Sequence, residues 1–104
     1  MTEFLRTRTE PVRNYELVTI YRAELDQEKL DSSIKHVTDI ISQSGGEIET
    51  VDRWGKRKLA YPISQQLEGI YVLIKFAAGS SLVKKITADL RLSENVLRHM
   101  AIKL

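Results

Sequence analysis

The chain contains no cysteine, so disulfide bonds and thiolate chemistry are excluded. His36 and His99 are its only histidines, and neither belongs to a cluster with metal-ligand spacing. No apolar run approaches the ~20 residues that a membrane-spanning helix needs, and the N-terminus lacks an apolar stretch of signal-peptide length. We therefore expect a cytoplasmic protein with no cofactor, no metal, no membrane partner and no small-molecule substrate.

The usual sets of catalytic residues are also missing. The one glycine pair, Gly45-Gly46, is placed to end a helix rather than to cradle a phosphate between a strand and a helix. His36 is expected at the edge of a buried helical stripe, and the acidic residues of that helix are scattered over its solvent side. An enzyme of this size should show a converging nucleophile, base and oxyanion donor. The sequence predicts a protein that is not an enzyme.

What the sequence does contain is enough apolar material for one compact domain, with 42% hydrophobic residues in 104. Its net charge of +2 is unevenly distributed along the chain. Residues 26–50 have a balance of −4, whereas residues 51–62 and residues 82–104 each have a balance of +3. This asymmetry predicts either one acidic and one basic surface or merely solvated charge.

Periodicity and turn residues predict six elements in the order β-α-β-β-α-β. Residues 1–13 are predicted to be a flexible N-terminal extension, and residues 14–104 a single domain. Alternating or helical apolar spacing and flanking glycines predict the elements themselves. They are strands at 15–22, 47–61, 69–77 and 95–104, and helices from Asp26 to Gly45 and from Gly79 through Leu90.

This order predicts an α+β, ferredoxin-like domain, with two helices on one face of a four-stranded, mainly antiparallel sheet. Right-handed crossovers would place the first and third strands in the middle. The first helix is expected to bury one stripe and the third strand one face. The stripe is Leu30, Ile34, Val37 and Ile41, and the strand face is Ile70, Val72, Ile74 and Phe76.

The segment from Arg53 to Lys58 has four cations around Trp54 and Gly55. On an exposed, bent strand such cations neutralise phosphates, and a tryptophan can stack on a base. Alternatively, the cations only protect an edge strand from aggregation and Trp54 covers the core. The segment therefore indicates RNA binding without excluding a purely structural role.

The RNA recognition motif has the same element order, but it needs aromatic residues on the exposed face of its third strand. The positions expected to be aromatic after Gly69 are Ile70 and Val72, and neither is aromatic. RNA contact is therefore expected from the edge and the loops, through charge and shape rather than base stacking on the sheet. The first strand is apolar on both faces, so the face away from the helices could hold a partner protein.

Several strings resemble the bacterial small-subunit ribosomal protein six family, and the likeness runs from about Arg13 to Lys103. The most specific is Trp54-Gly55-Lys56-Arg57-Lys58-Leu59-Ala60-Tyr61-Pro62-Ile63. Weaker matches are Asn14-Tyr15-Glu16, Gly69-Ile70-Tyr71 and Asn95-Val96-Leu97-Arg98.

The resemblance implies a structural constituent of the small ribosomal subunit that binds the central domain of 16S-type ribosomal RNA. It also implies a heterodimer with small-subunit ribosomal protein eighteen. The basic residues of the family correspond here to Arg13, Lys56, Arg57 and Arg98, with Arg53, Lys58 and Arg91 as weaker candidates. The chain departs from the family pattern at Leu97, where a second basic residue would be expected.

Two other functions fit the fold. A metabolite-binding regulatory domain would need a pocket with converging polar groups. An acyl-phosphate hydrolase would need an anion-binding loop after the first strand, but that loop is Ala23-Glu24-Leu25-Asp26, which is acidic and lacks glycine.

Overall fold

The computed structural model describes residues 10–104, so most of the predicted N-terminal extension, residues 1–9, lies outside the described part. Six elements follow one another in the predicted order. They are β1 (Arg13–Arg22), α1 (Gln27–Gln43), β2 (Glu47–Ile63), β3 (Gln66–Ala78), α2 (Ser80–Leu92) and β4 (Val96–Lys103).

The four strands form one sheet in the order β2-β3-β1-β4, and every neighbouring pair is antiparallel. β1 and β3 are therefore the central strands, as the crossover rule predicts. Both helices pack on the same side of the sheet, which confirms the ferredoxin-like prediction. The other side of the sheet is not covered by any described element, and we call it the open face.

Local chemistry explains where α1 begins and ends. The Asp26 carboxylate accepts a hydrogen bond of 2.8 Å from the Lys29 amide, which satisfies one of the unpaired donors of the first turn. After the helix, Gly45 has a φ of 89°, a left-handed conformation that glycine adopts without steric cost. The predicted stripe of Leu30, Ile34, Val37 and Ile41 is buried along the whole helix.

The core lies between the helices and the covered side of the sheet. Phe76 stacks on Tyr15 with ring centroids 5.7 Å apart, and Leu17, Ile41 and Ile86 are almost fully buried around them. Burying side chains of this size stabilises a fold by about 1.5–3 kcal/mol each. The four apolar residues predicted for one face of β3 are all buried here, so that prediction is confirmed.

The pairing of β3 with β1 corrects the expectation about which residues of β3 are exposed. Ile70 and Val72 lie opposite Tyr21 and Thr19 on β1, on the side that the helices cover. Because side chains alternate along a strand, the open face receives the residues between them. Tyr71 is one of these, so β3 does present an aromatic residue on its exposed face.

Candidate nucleic-acid interface

The basic segment lies on β2, which is an edge strand of the sheet. Gly55 has a φ of 84°, and the pairing with β3 shifts between Arg53 and Gly55. Such a bulge bends an edge strand and re-aims the side chains that follow. Lys56, Arg57 and Lys58 come directly after it and are exposed, as expected for a surface that meets a polyanion.

Arg57 and Trp54 lie together on the open face. The Arg57 guanidinium carbon is 5.5 Å from the centre of the Trp54 ring, within the range of a cation–π contact. Trp54 in turn stacks on Tyr71, with ring centroids 6.4 Å apart and planes inclined by 12°. We call Trp54, Arg57 and Tyr71 the stacking platform.

Arg98 joins this face from the opposite edge of the sheet. It lies on β4 opposite Ile20 of β1, and its guanidinium donates a hydrogen bond to the Tyr61 hydroxyl near the end of β2. This contact spans the open face and brings Arg98 to the basic segment, 40 residues away in the sequence. Tyr61 and Tyr71 are contributors that the sequence analysis did not select.

Arg53 is directed away from the open face that holds Arg57 and Arg98. It lies opposite Val72, on the helix-covered side, and its Nη1 is 2.5 Å from Asp31 Oδ1 on α1. The hydrogen bonds from Arg53 and then Gln27 hold the pKa of Asp31 below its usual value. This arginine therefore ties β2 to α1, and its charge is already compensated.

Two further predicted residues lie apart from the group. Arg13 pairs with Ala78 at the start of β1, and along the strand it is ~23 Å from Ile20, beside which Arg98 lies. Arg91 lies in the last turn of α2, on the helix side. Burial, with a smaller contribution from the Arg91 charge, lowers the pKa of His99. The fold therefore brings Arg57 and Arg98 together on the open face. Lys56 and Lys58, opposite Ile70 and Glu68, lie on the other side of the same β2 edge, and Arg13 and Arg91 lie farther away.

An apolar groove of about 240 Å³ lies on the open face beside the platform. Its lining consists of the apolar residues Val18, Ile20 and Met100 together with Tyr71, Arg98 and His99. The Met100 side chain is 45% exposed, and Ile102 farther along β4 is 40% exposed. β1 therefore has apolar residues on both faces, as predicted, and only one of these faces is covered.

His36 lies on the surface, where its Nε2 is 2.9 Å from Asp89 Oδ2 and joins α1 to α2. It is thus at the periphery of the core rather than in a catalytic site. Among residues 10–104, no group of histidine, cysteine, aspartate and glutamate side chains is arranged to hold a metal ion. Within that same range, no helix is both long and apolar enough to cross a bilayer.

Comparison with known proteins gives a consistent match over this domain. The family model described as ribosomal protein S6 matches residues 14–103. The small ribosomal subunit protein bS6 of Dehalococcoides mccartyi strain CBDB1 is 44% identical over 103 residues, which cover 99% of this chain and 94% of that protein. The protein of the same name from Clostridium acetobutylicum is 40% identical over 93 residues, covering 89% and 98% of the two chains.

Structural comparison agrees. The crystal structure of 30S ribosomal protein S6 from Thermotoga maritima superposes with a TM-score of 0.85 and 26% identity, and the match covers 90% of this chain and 89% of that one. The prediction that the protein is not an enzyme is confirmed by these relatives, which are structural proteins of the ribosome. The chain therefore belongs to the ribosomal protein S6 family, as a structural component of the small ribosomal subunit.

Proposed function

We propose that this protein binds the central domain of the small-subunit ribosomal RNA together with small-subunit ribosomal protein eighteen during assembly. The observation that carries the proposal is a group of cations without carboxylate partners. Within residues 10–104, none of Lys56, Arg57, Lys58 and Arg98 forms an ion pair, whereas Arg53 does. Uncompensated cations on a bent edge strand are suited to RNA phosphates.

The cations are expected to contribute unequally. Lys56, Arg57 and Arg98 are the principal RNA contacts in this proposal, with Arg13 as a separate contact at the far end of β1. Lys58 lies opposite Glu68 in the sheet register, so part of its field is cancelled. Arg53, paired with Asp31, and Arg91, on the helix side, are expected to contribute least.

The apolar groove supports the proposal of a protein partner. A concave apolar surface on an otherwise charged protein is a typical place for a partner to bury a side chain. The groove and the basic segment lie on adjacent parts of the molecule, so one protein could contact RNA and its partner at once. We propose that protein eighteen occupies the groove and that the pair binds RNA better than either protein alone.

The RNA contact can be tested through its salt dependence. Alanine at Lys56, Arg57 and Lys58 together should weaken binding to a central-domain rRNA fragment. It should also flatten the plot of log affinity against log salt by roughly 0.7–0.9 units of slope for each lost phosphate contact. The affinity would be measured by fluorescence anisotropy at several salt concentrations, with the partner protein present.

A control variant with the same charge change would replace Lys29, Lys84 and Lys85 with alanine, because these lysines lie on the helices. If the proposal is correct, the slope of this variant stays close to that of the unmodified protein. Equal slopes for the two triple variants would show that only net charge matters, and an unchanged slope in the Lys56, Arg57 and Lys58 variant would contradict the proposal.

A further inference from the structure

We infer that the stacking platform is a binding site for an unpaired RNA base, with Trp54 as the stacking surface. The inference rests on the proposed RNA-binding function and specifies how one nucleotide is held. Its starting point is the register of β3, which places Tyr71 on the open face beside Trp54. The sheet thus presents an aromatic surface where the sequence predicted none.

The geometry leaves a Trp54 surface available to a ligand. The residue is 50% exposed, although Tyr71 stacks on it and Arg57 lies over the ring. Tyr71 and Arg57 lie against the indole without burying it, so part of its side-chain freedom is already lost before a ligand binds. A pre-positioned, half-exposed aromatic ring is suited to stacking, because every base has a π-face.

The charges around the ring favour a nucleotide over an apolar protein segment. Arg57 and Arg98 both lie on the open face, and within residues 10–104 neither is paired with a carboxylate. Lys75 on the same face is paired with Glu16 at 3.8 Å, and the acid on β2 that shares this face is Asp52, opposite Leu73. An aromatic ring with the Arg57 guanidinium 5.5 Å away, and with Arg98 on the same face, matches a ligand that combines a flat base with a phosphate.

The apolar groove lies on the other side of Tyr71, along β1 and β4. Its lining contains Val18, Ile20 and Met100, so it resembles a protein-docking surface more than the platform does. The two surfaces meet at Tyr71 and Arg98. We assign RNA to the platform and Arg98, and the partner protein to the apolar residues along β1 and β4. This division makes the two occupants separable by mutation.

Because Trp54 is the only tryptophan in the chain, its fluorescence reports directly on the site. The full-length protein would be titrated at low salt with a short unstructured RNA and, separately, with an abasic oligonucleotide of the same length and charge. Stacking predicts that the RNA quenches the emission at saturation, whereas the abasic strand binds through its phosphates and leaves the emission nearly unchanged.

Two substitutions separate stacking from apolar contact. The variant Trp54→Phe keeps a π-face, so it should retain most of the affinity for the RNA. The variant Trp54→Leu keeps apolar area but loses the π-face, so its affinity should fall roughly 5- to 150-fold. Leu92→Ala is the control, because Leu92 is an exposed apolar residue on α2, away from the sheet face, and its affinity should not change. Circular dichroism would verify that all three variants fold.

The results distinguish this inference from the proposed function. Equal affinities of the Phe and Leu variants, or equal quenching by RNA and abasic strand, would overturn the stacking site while the salt-slope result still supported RNA binding. If Trp54→Leu abolished the heterodimer but left RNA affinity intact, the platform would be a protein contact and the inference would be wrong. Absence of RNA binding by the unmodified protein with its partner would overturn both.

Discussion

At the start of α2 the N-cap position is Gly79, which has no side chain to accept hydrogen bonds from the first turn. Glu10, 71 residues before Ser81 in the sequence, takes over this role. One of its carboxylate oxygens accepts hydrogen bonds from the Ser81 amide at 3.2 Å and the Ser81 hydroxyl at 2.5 Å. The negative charge also complements the positive end of the helix dipole. The start of the described chain is thereby attached to the helix layer.

This cap should make stability depend on pH. The hydrogen bonds from the Ser81 side chain and backbone lower the pKa of Glu10 below the ordinary 4.5. A carboxyl group whose pKa is lower in the folded state stabilises the fold above its unfolded pKa, and this contribution is lost as the pH falls through the folded pKa. We expect Glu10→Gln to lower the melting temperature at pH 7, with the difference disappearing in acid. Thermal denaturation from pH 7 to pH 3 would measure it.

The control for this prediction is Glu49→Gln, an exposed acid on β2 that caps no helix. A smaller melting-temperature change at pH 7 in this variant than in Glu10→Gln is expected. A Glu10→Gln variant with the same pH profile as the unmodified protein would show that the cap contributes nothing to stability.

Trp54 and Tyr71 show that a residue pattern does not by itself determine which side chains meet on the exposed face of the sheet. The alternation along β3 is plain in the sequence, yet Ile70 and Val72 belong to its buried face and the residues between them are the exposed ones. Counting by two from the apolar face would have identified Tyr71. Alternation along a strand does not predict the contact between Arg98 and Tyr61, because that contact depends on the order of the strands in the sheet.

At the scale of elements, the β2–β3 hairpin has a feature that is energetically unfavourable. Its two connecting residues, Ser64 and Gln65, have φ values of 47° and 66°, although neither is glycine or asparagine. Left-handed conformations cost L-residues about 1–2 kcal/mol each, and two-residue hairpin loops prefer Asn-Gly for this reason. The sequence predicts a turn here, but not this backbone conformation.

Replacing the loop by Ser64→Asn with Gln65→Gly should therefore stabilise the protein by about 1 kcal/mol. For a domain of this size that corresponds to a rise of roughly 4–8 °C in melting temperature, measurable by calorimetry. Gln66→Gly is the matched control, because Gln66 already belongs to β3, where glycine should destabilise by about 0.5–1 kcal/mol. A double variant no more stable than the unmodified protein would contradict this explanation of the turn.

At the scale of the whole molecule, the two surfaces of the open face should couple RNA binding to partner binding. If the partner fills the apolar groove next to the basic segment, each ligand improves the affinity of the other by the same factor. Coupling of about 1–3 kcal/mol, or 5- to 150-fold, is typical between linked sites. The scaffold itself need not move for this to occur.

The coupling can be tested with Met100→Asp. Met100 is partly exposed, so the fold should tolerate the change, but a carboxylate in the groove would have to be desolvated when the partner binds. We expect at least a tenfold loss of affinity for protein eighteen in calorimetric titration, and loss of the gain in RNA affinity that the partner provides.

Leu92→Asp serves as the control, because it places the same charge on the exposed end of α2, and it should leave the heterodimer intact. Equal heterodimer affinity in the Met100→Asp variant and the unmodified protein would place the partner on another surface.

The sequence by itself determined the six elements, their order and the composition of the core. Those features depend on local causes: the Asp26 cap, the left-handed Gly45, the helical stripe from Leu30 to Ile41 and the alternation along β3. They also lead to the sheet order, because few topologies satisfy the crossover rule. The resemblance to the ribosomal protein S6 family can also be recognised from the sequence alone, in the segment from Trp54 to Ile63.

Only the tertiary structure decided which cations lie close together. Strand order and register bring Arg98 across the open face to Tyr61, and they direct Arg53 to Asp31 on the covered side. They also leave Arg13 and Arg91 apart from the group. The physical reason is that cations with similar sequence surroundings have different neighbours in the folded protein. Those neighbours come from distant segments, which are brought together only when the strands pair into the sheet.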